Sequence, residues 1–203
     1  MRVSKGDIFE RVFINEEVNL QIDQEAGSHV KIHVINASFA ITVNQLGEGC
    51  STEIYGLENL HAHDNVTAET HVYHAVGGGT SNQLIKFVLD DEARGRFIGD
   101  LKIAPDAQQT EAHQTNRNLL LSETAEMRTQ PQLEIYADDV QATHGASTGQ
   151  LDEAALFYMQ QRGIGKQKAR QLLVNAFMKE VLDTISDDQL REQLLDSIDR
   201  VVQ

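Results

Sequence analysis

The 203-residue chain is poor in several residue types that define common protein classes. Its single cysteine, Cys50, excludes an internal disulfide and a zinc or cluster site built from several cysteines. Two prolines, no tryptophan and 5% aromatic residues indicate a core of aliphatic side chains. Positive charge is also scarce, because 17 lysines and arginines stand against 31 acidic residues, for a net charge of −14. A surface this acidic argues against nucleic acid or an anionic membrane as a partner.

The sequence also lacks a long apolar segment. No run approaches the roughly 18 residues that are needed to cross a bilayer, and no signal-type apolar core follows Met1. We therefore expect a cytoplasmic protein that does not insert into a membrane. The length suits one large domain, or a domain with a small appendage.

From Val18 to about Ala146 the hydrophobic pattern alternates with a period of two, which predicts short β-strands. The strand clusters recur about every 20–25 residues, as in a β-solenoid whose coils bury their inner faces by stacking. An antiparallel sandwich fits the same alternation. The pattern alone therefore leaves these two folds open.

The C-terminal quarter of the chain has a helical period instead. This change divides the chain into a β-strand core in residues 1–149, which is a β-solenoid core in the first of the two interpretations, and a small α-helical subdomain in residues 150–203. The first helix is predicted to start at Asp152 or Gln150 and to end at Gly163, because glycine is the usual residue after a helix C-terminus.

Two more helices are predicted in this subdomain. The second spans about Lys166–Ile185, and its apolar positions define one buried face. That face comprises Ala169, Leu172, Leu173, Ala176, Phe177 and Val181. Ser186 begins a capping box for the third helix. The stripe of the third helix comprises Leu190, Leu194, Ile198 and Val201. We expect the helices to pack on the end of the solenoid or on a partner.

Two overlapping segments carry a family resemblance. Gly95–Asp139 contains EAHQTNRN, and Asp138–Ile164 joins the small-residue run ATHGA to the first helix. Together they resemble the C-terminal half of the SufD branch of the SufB/SufD family of iron–sulfur cluster assembly proteins, over about Thr70–Ile185. The resemblance implies a mainly β fold, a right-handed parallel β-helix followed by a small helical subdomain. In full-length relatives a substantial N-terminal region precedes this part.

The resemblance also implies a function. It implies a non-catalytic subunit of a Suf iron–sulfur cluster assembly scaffold, which pairs with a SufB-like protein and docks a SufC-like ABC-type ATPase. The chain alone is expected to hold no cofactor, whereas iron or a nascent cluster is expected at the interface with the SufB-like partner. His144, with small neighbours on both sides, is the implied metal ligand. Many relatives have cysteine where this chain has Ala142, so any thiolate must come from the partner.

Two partner surfaces are predicted. Four consecutive large apolar residues in the first helix cannot all face one core, and the resemblance implies that this region docks the ATPase. The predicted ATPase surface comprises Leu156, Phe157, Tyr158, Arg162 and Gly163. In isolation we expect a homodimer through the last solenoid strands. Its predicted interface comprises Leu133, Ile135, Val140 and Ala142.

Other candidate sites are weaker. His61 and His63 are predicted to share one face in a His-Ala-His step, and His71 and His74 lie three residues apart near a strand end. Neither pair has the carboxylate or cysteine neighbours of a convincing metal site. Cys50 has no base nearby in the sequence, which favours a buried or incidental thiol.

Two further patterns have structural interpretations. The Gly77-Gly78-Gly79-Thr80 segment lacks the lysine and the following helix of a phosphate-binding loop, so a tight turn is predicted. The alternating amides of EAHQTNRN predict a ladder of stacked side chains.

Two other functional classes remain as alternatives. The first is a β-solenoid structural protein that forms a homodimer and has no metal role. The second, a carbohydrate-active solenoid enzyme, requires clustered acids and aromatic platforms, and the absence of tryptophan disfavours it.

Overall fold

The computed structural model describes the backbone of residues 1–201 and the side chains of residues 1–195. Within this part, twelve β-strands precede three α-helices. The strands are β1 (Arg2–Val3), β2 (Ile8–Ile14), β3 (Val18–Gln24), β4 (His29–Ile35), β5 (Phe39–Gln45), β6 (Ser51–Leu60), β7 (Asn65–His74), β8 (Thr80–Leu89), β9 (Arg94–Ile103), β10 (Thr110–Leu120), β11 (Glu126–Ile135) and β12 (Val140–Gln150). The helices are α1 (Glu153–Gln161), α2 (Lys166–Leu182) and α3 (Asp188–Val201).

Each strand pairs in parallel with the strand two places along the chain. The odd-numbered strands form one six-stranded sheet, in the order β1-β3-β5-β7-β9-β11. The even-numbered strands form the other, in the order β12-β10-β8-β6-β4-β2. Successive strands thus alternate between two sheets, and the coils stack on one another. This pairing confirms the parallel β-solenoid and excludes an antiparallel sandwich, whose hairpins pair neighbouring strands.

The coils lengthen along the solenoid. Ile8 of β2 is the register partner of His29, whereas Thr80 of β8 is the register partner of Glu111, so the later coil contains more residues. The predicted spacing of about 20–25 residues per coil is therefore correct only for the first coils. The later coils are longer because their strands grow from 7 residues, as in β4, to 10 or 11 residues, as in β8 and β10.

Inward-facing side chains stack in columns from coil to coil. One such column contains Ile22, Val43, Val72, Leu101 and Leu133. The first four of these side chains are at most 2% exposed. Because each is covered by the coils on either side, a narrow aliphatic core forms with few aromatic residues.

Amide side chains form the predicted ladder inside β10. Gln114 Nε2 donates to Gln83 Oε1 of the neighbouring coil at 3.5 Å. Asn116 and Asn118 exchange two amide hydrogen bonds, at 3.0 and 2.8 Å. Buried amides need such partners, so this segment of the family motif has a structural role.

Local capping determines the bounds of α1 as the sequence predicted. Asp152 Oδ1 accepts hydrogen bonds from the backbone N–H groups of Ala154 (2.8 Å) and Ala155 (3.2 Å). At the other end, Gly163 adopts a φ of +85° and its N–H donates to the Gln160 carbonyl. This left-handed conformation is the one that favours glycine after a helix.

The predicted face of α2 was partly wrong. Val174 and Met178 are fully buried, although the prediction omitted both, whereas the predicted Leu172 is 38% exposed. Of the predicted face only Ala169 and Val181 are fully buried, and they share the interior with Val174 and Met178. The apolar residues of α2 occupy more than one face, so the pattern alone did not determine which face packs.

The cap of α3 also differs from the prediction. Asp187 is the N-cap, since its Oδ1 accepts from the backbone N–H groups of Gln189 and Leu190, both at 3.0 Å. The Ser186 hydroxyl instead accepts a hydrogen bond from Lys31 Nζ on the solenoid. In the predicted apolar stripe Leu194 is buried. Leu190 is half-buried and packs against the same residues as Leu194, while the side chains of Ile198 and Val201 lie outside the described residues.

Helix α2 packs on the outer face of the even-numbered sheet, with α1 and α3 against it, and not on the end of the solenoid as we expected. The outer positions of these strands carry apolar residues, which form a second core with the helices. This core comprises Ile35, Tyr55, Leu57, Val88, Leu119, Val174, Met178, Val181, Leu182, Ile185 and Leu194. Lys86, 1% exposed, donates to the Phe177 carbonyl at 2.7 Å and to the Glu180 carboxylate. Glu180 also accepts from Arg117 at 3.0 Å, so one helical carboxylate joins α2 to two strands.

Candidate partner and metal site at the end of the solenoid

The C-terminal end of the solenoid has two free strand edges. Within the described residues, β11 pairs only with β9, and β12 pairs only with β10. The other edge of each strand therefore presents backbone N–H and C=O groups that no strand of this part of the chain satisfies. Such an edge is a template for pairing with another chain.

The four predicted interface residues all occupy inward-facing positions of this last coil. Leu133, Val140 and Ala142 are half-buried and pack against the core, while Ile135 is 41% exposed. Their register partners in the preceding coil are buried, so each of the four continues a column of core side chains. The structure thus brings them together at the open end of the solenoid. Their contact with a second chain stays a prediction.

His144 lies in β12 at the same end. Its register partner in β10, Gln114, is 1% exposed, so His144 occupies an inward-facing column. It is nevertheless exposed, because no further strand of the described chain stacks on β12. A side chain added at Gly145 would meet nothing within 4 Å. Among the described residues, none hydrogen-bonds or ion-pairs with the His144 imidazole, which leaves both ring nitrogens available.

The surroundings of His144 do not complete a metal site. Ala142, two residues earlier on the same face, offers no donor atom. Across the residues that the structure describes, no group of three or more His, Cys, Asp or Glu side chains is placed to hold a metal ion. An ion bound at His144 would therefore take its remaining ligands from solvent or from another chain.

The predicted shared face of His61 and His63 was wrong. Both residues lie in the turn between β6 and β7, where Ala62 adopts a φ of +54°. The period-two rule holds only in extended strands, so it does not apply in this turn. His63 Nδ1 instead lies 3.3 Å from a carboxylate oxygen of Glu92.

The second histidine pair, His71 and His74, lies on opposite faces of β7. His71 faces outward in β7, and its Nδ1 lies 2.7 Å from Asp100 Oδ2. His74 is buried inside the solenoid, and its Nε2 lies 2.9 Å from Ser81 Oγ. Because residues three apart in a strand point to opposite faces, these two rings cannot share a metal ion.

The other two minor motifs are structural. Cys50 is 1% exposed, and its thiol lies 3.1 Å from the carbonyl oxygens of Glu25 and Gly47, which confirms a buried thiol. The glycine-rich segment connects β7 to β8 as a turn, in which Gly78 has a φ of +71°. The predicted tight turn is therefore confirmed as well.

Helix α1 presents a partly aromatic surface. Phe157 and Tyr158 are 63% and 57% exposed, and the Arg162 guanidinium lies 4.6 Å from the centre of the Tyr158 ring. Gly163 follows at the helix end. Leu156 differs from the other predicted residues because it is only 6% exposed and lies in a core. The exposed part of the predicted ATPase surface is thus Phe157, Tyr158, Arg162 and Gly163.

Three buried ionisable residues were not singled out from the sequence. His33, Glu58 and Lys86 are each at most 1% exposed. A signal existed for one of them, because Lys86 is the single polar residue of the apolar run Leu84–Leu89. Such runs indicate strands that are buried on both faces, where an isolated polar residue must find a partner inside the fold.

The fold and this site define a class of protein: a two-sheet parallel β-solenoid with a helical layer on one face and open strand edges at its end. The family described as "SUF system FeS cluster assembly, SufBD core domain" matches residues 16–177. The chain therefore belongs to the SufBD core family.

Curated relatives agree with this assignment. The iron–sulfur cluster assembly protein SufD of Escherichia coli (strain K12) is 38% identical over 149 residues, which is 73% of this chain and 35% of the relative. A SufBD family protein of Synechocystis is 35% identical over 175 residues, 85% of this chain and 37% of the relative. A chloroplastic protein of Arabidopsis thaliana is 34% identical over 154 residues, 75% of this chain and 32% of the relative. The chain thus spans roughly a third of the length of these relatives.

Proposed function

We propose that the chain is a non-catalytic, cytoplasmic subunit of an iron–sulfur cluster assembly scaffold of the Suf type. The observation that carries the proposal is His144, exposed at the open end of the solenoid with no second metal ligand beside it in the described part of its own chain. An incomplete site at a free strand edge is what a shared interface requires. Family membership supports the proposal, since relatives such as the Escherichia coli protein are named for cluster assembly.

The partner at this end is a SufB-like subunit in our proposal. Its strands would pair with the free edges of β11 and β12, and its side chains would supply the cysteine or carboxylate ligands that His144 lacks. Neutral imidazole together with thiolate suits iron, which here is the cargo of assembly. The chain alone would hold no cofactor.

A SufC-like ATPase is the proposed partner at helix α1. Phe157 and Tyr158 form an exposed aromatic surface on α1. Arg162, beside Tyr158, adds a positive charge at the edge of this surface. Aromatic residues and arginine dominate the energy of many protein interfaces. Because α1 lies next in sequence to β12, movement imposed by the ATPase would reach the strand that carries His144.

We expect His144→Ala to leave the stability of the chain nearly unchanged and to impair cluster assembly. The imidazole makes no hydrogen bond or ion pair within the described residues, so the free energy of unfolding should change by less than about 0.5 kcal/mol. Loss of a metal ligand should lower the rate of assembly by about tenfold or more. The measurements are thermal unfolding of the chain and iron–sulfur reconstitution on the complete complex.

His113→Ala is the matched control, because its ring contacts Thr143 and Glu111 on the outer face of the same two strands. That variant should assemble clusters normally. Normal assembly by His144→Ala, together with a large loss of stability, would refute the proposed metal role.

We expect Phe157→Asp to abolish co-purification with the SufC-like ATPase while pairing with the SufB-like subunit persists. A carboxylate placed on an apolar contact is desolvated without a partner, which costs several kcal/mol of binding. Leu172→Asp is a suitable control, since Leu172 is an exposed apolar residue of α2. Equal loss of the ATPase in both variants would mean that α1 is not the docking surface.

A structural homodimer is the second candidate, and the free edges of β11 and β12 favour it for the isolated chain. The matching residues of two copies could meet there around a two-fold axis. We expect sedimentation at micromolar concentration to show a dimer that is weakened by proline at Ile135 or Val140, because proline lacks the backbone donor. A monomer, or a dimer that tolerates both substitutions, would place the contact elsewhere.

A further inference from the structure

An arginine cluster interrupts the acidic surface on the outer face of the odd-numbered sheet. It consists of Arg94 and Arg96 in β9 and Arg128 in β11, and all three side chains are exposed. The chain as a whole carries a net charge of −14, so a local excess of positive charge is unusual here.

Strand register places two of these arginines side by side. Arg96 and Arg128 are direct partners in the parallel pair β9–β11. Like charges at such positions destabilise a sheet unless something neutralises them. Arg96 donates to the amide oxygen of Gln130 at 2.8 Å, which supplies no charge.

A single carboxylate, that of Glu126, lies near both Arg94 and Arg128. Glu126 lies 3.9 Å from the guanidinium of Arg94 and 3.9 Å from that of Arg128. Three guanidinium groups against one carboxylate leave an excess of two positive charges at the cluster. Glu69, on the neighbouring strand β7, is the register partner of Ile98 and so lies two residues beyond the level of Arg96, roughly 7 Å along the strand.

The cluster lines a groove that also contains neutral donors. Asn65 and Thr67 of β7 are the register partners of Arg94 and Arg96, and all of these residues border a groove of about 420 Å³. An amide and a hydroxyl beside guanidinium groups provide many hydrogen-bond donors around one small space.

We propose that this groove binds a phosphate group. Guanidinium groups bind phosphate oxygens through paired hydrogen bonds, and arginine suits this geometry better than lysine. A phosphate monoester carries about −1.5 to −2 charge at pH 7, which matches the excess of two positive charges, whereas one carboxylate neutralises only half of it. The bound anion would lie between Arg96 and Arg128 and relieve their repulsion. The groove includes Arg128 of β11, whose free edge is the proposed contact with the SufB-like subunit, but it lies on the outer face of that strand, whereas Leu133 and Ile135 face inward.

Titration of the ¹⁵N-labelled chain with inorganic phosphate at constant ionic strength tests the proposal. Saturable shifts are expected for the backbone amides at the starts of β9 and β11. Arg96→Gln should weaken binding by about tenfold or more, since it removes a charge-assisted hydrogen bond to the anion. A parallel titration with glycerol phosphate distinguishes the source: binding there supports a site for esters, and binding of inorganic phosphate alone supports a site for the free anion.

Lys102→Gln is the matched control. Lys102 lies on the same face of β9, six residues from Arg96, which is roughly 20 Å along the strand, and it pairs with Glu134 at 3.1 Å. The variant removes the same charge, so binding should change by less than about twofold if the groove is specific. Absence of saturable shifts, or an equal loss in both variants, would overturn the proposal, since attraction would then depend only on total charge.

Discussion

We expect the free energy of unfolding to fall steeply as the pH is lowered from about 6.5 to 4, because two buried histidines cannot accept a proton in the folded state. Burial lowers the pKa of His33 to about 4, and the nearby Lys31 ammonium contributes to the shift. Burial alone lowers the pKa of His74 to about 4.

The surroundings of each ring explain the low values. The Thr184 hydroxyl donates to the Val181 carbonyl, so it accepts from His33 Nε2–H at 2.8 Å. That assignment leaves Nδ1 of His33 without a proton, buried and without a partner. His74 has the same arrangement, with Nε2 near Ser81 Oγ and an unpartnered Nδ1. A proton added at either Nδ1 would place a positive charge where no acceptor lies.

The sign and size of the effect follow from proton linkage. An unfolded histidine has a pKa near 6.5, so between about pH 6.5 and 4 only the unfolded chain binds these protons. The contribution of each neutral histidine to the free energy of unfolding is fully present above about pH 6.5. It decreases by about 1.4 kcal/mol for each unit by which the pH is lowered. Each ring thus contributes a loss of roughly 3 kcal/mol by pH 4.

Urea unfolding between pH 4 and 7.5 measures this dependence. His33→Phe should remove about half of the contribution that the two histidines make to the slope, since phenylalanine keeps the stacking on Tyr55 but cannot be protonated. His63→Gln is the control, because His63 is exposed in a turn and should not change the slope. Parallel stability curves for the wild type and His33→Phe would contradict the prediction.

We expect Glu58→Gln to stabilise the protein at neutral and alkaline pH. Glu58 is 0% exposed inside the solenoid, and its Oε2 accepts from the Ala37 backbone N–H at 2.7 Å. Its Oε1 is buried without a partner. Burial raises the pKa of this carboxyl well above its ordinary value, and the single hydrogen bond from Ala37 opposes the shift only in part.

The pH dependence of stability that Glu58 causes has the opposite sign to the one that the two histidines cause. Because the folded pKa of Glu58 is raised, its full stability is present below the unfolded pKa of about 4.5 and is lost as the pH rises towards the folded value. The wild type therefore loses about 1.4 kcal/mol per pH unit in that window, whereas the glutamine variant has no proton to lose. The difference in unfolding free energy between the variant and the wild type should therefore widen as the pH rises from 5 to 8.

The same urea experiment, extended to pH 8.5, measures this difference. Glu16→Gln, at an exposed position before β3, should follow the wild type at every pH. If Glu58→Gln were less stable at pH 8, or differed from the wild type by a constant amount, the carboxyl would be ionised and stabilised by contacts other than those seen. Together, the pH dependence caused by the buried histidines and the one caused by Glu58 predict that the protein is most stable in weakly acidic solution.

Local chemistry made much of the fold predictable. Alternation of apolar residues between Val18 and Ala146 predicted strands, because side chains of a strand point to opposite faces with a period of two. Asp152 and Gly163 predicted the bounds of α1, since a capping carboxylate and a left-handed glycine act within one helical turn. The segment that carries His144 could be recognised, because a long stretch of sequence around it resembles one family.

At the level of sequence, the choice between a solenoid and a sandwich depended on that resemblance. In the structure it is decided by strand pairing, because each strand pairs in parallel with the strand one full coil later. The same pairing places His144 in a core column that is left uncovered. It also sets Arg96 beside Arg128, although a whole coil of the chain separates them. Such neighbours depend on the length of each coil, which no local pattern reports.

By itself, the sequence determined that a strand-rich region precedes three helices, where α1 begins and ends, and that the core is aliphatic. Only the tertiary structure decided which side of the solenoid the helices cover, which face of α2 packs, and that Lys86 and His33 are buried beneath that layer. The physical reason is distance along the chain. Lys86 becomes buried through Phe177 and Glu180, which belong to a helix far later in the sequence, and burial of that kind exists only after both segments have folded together.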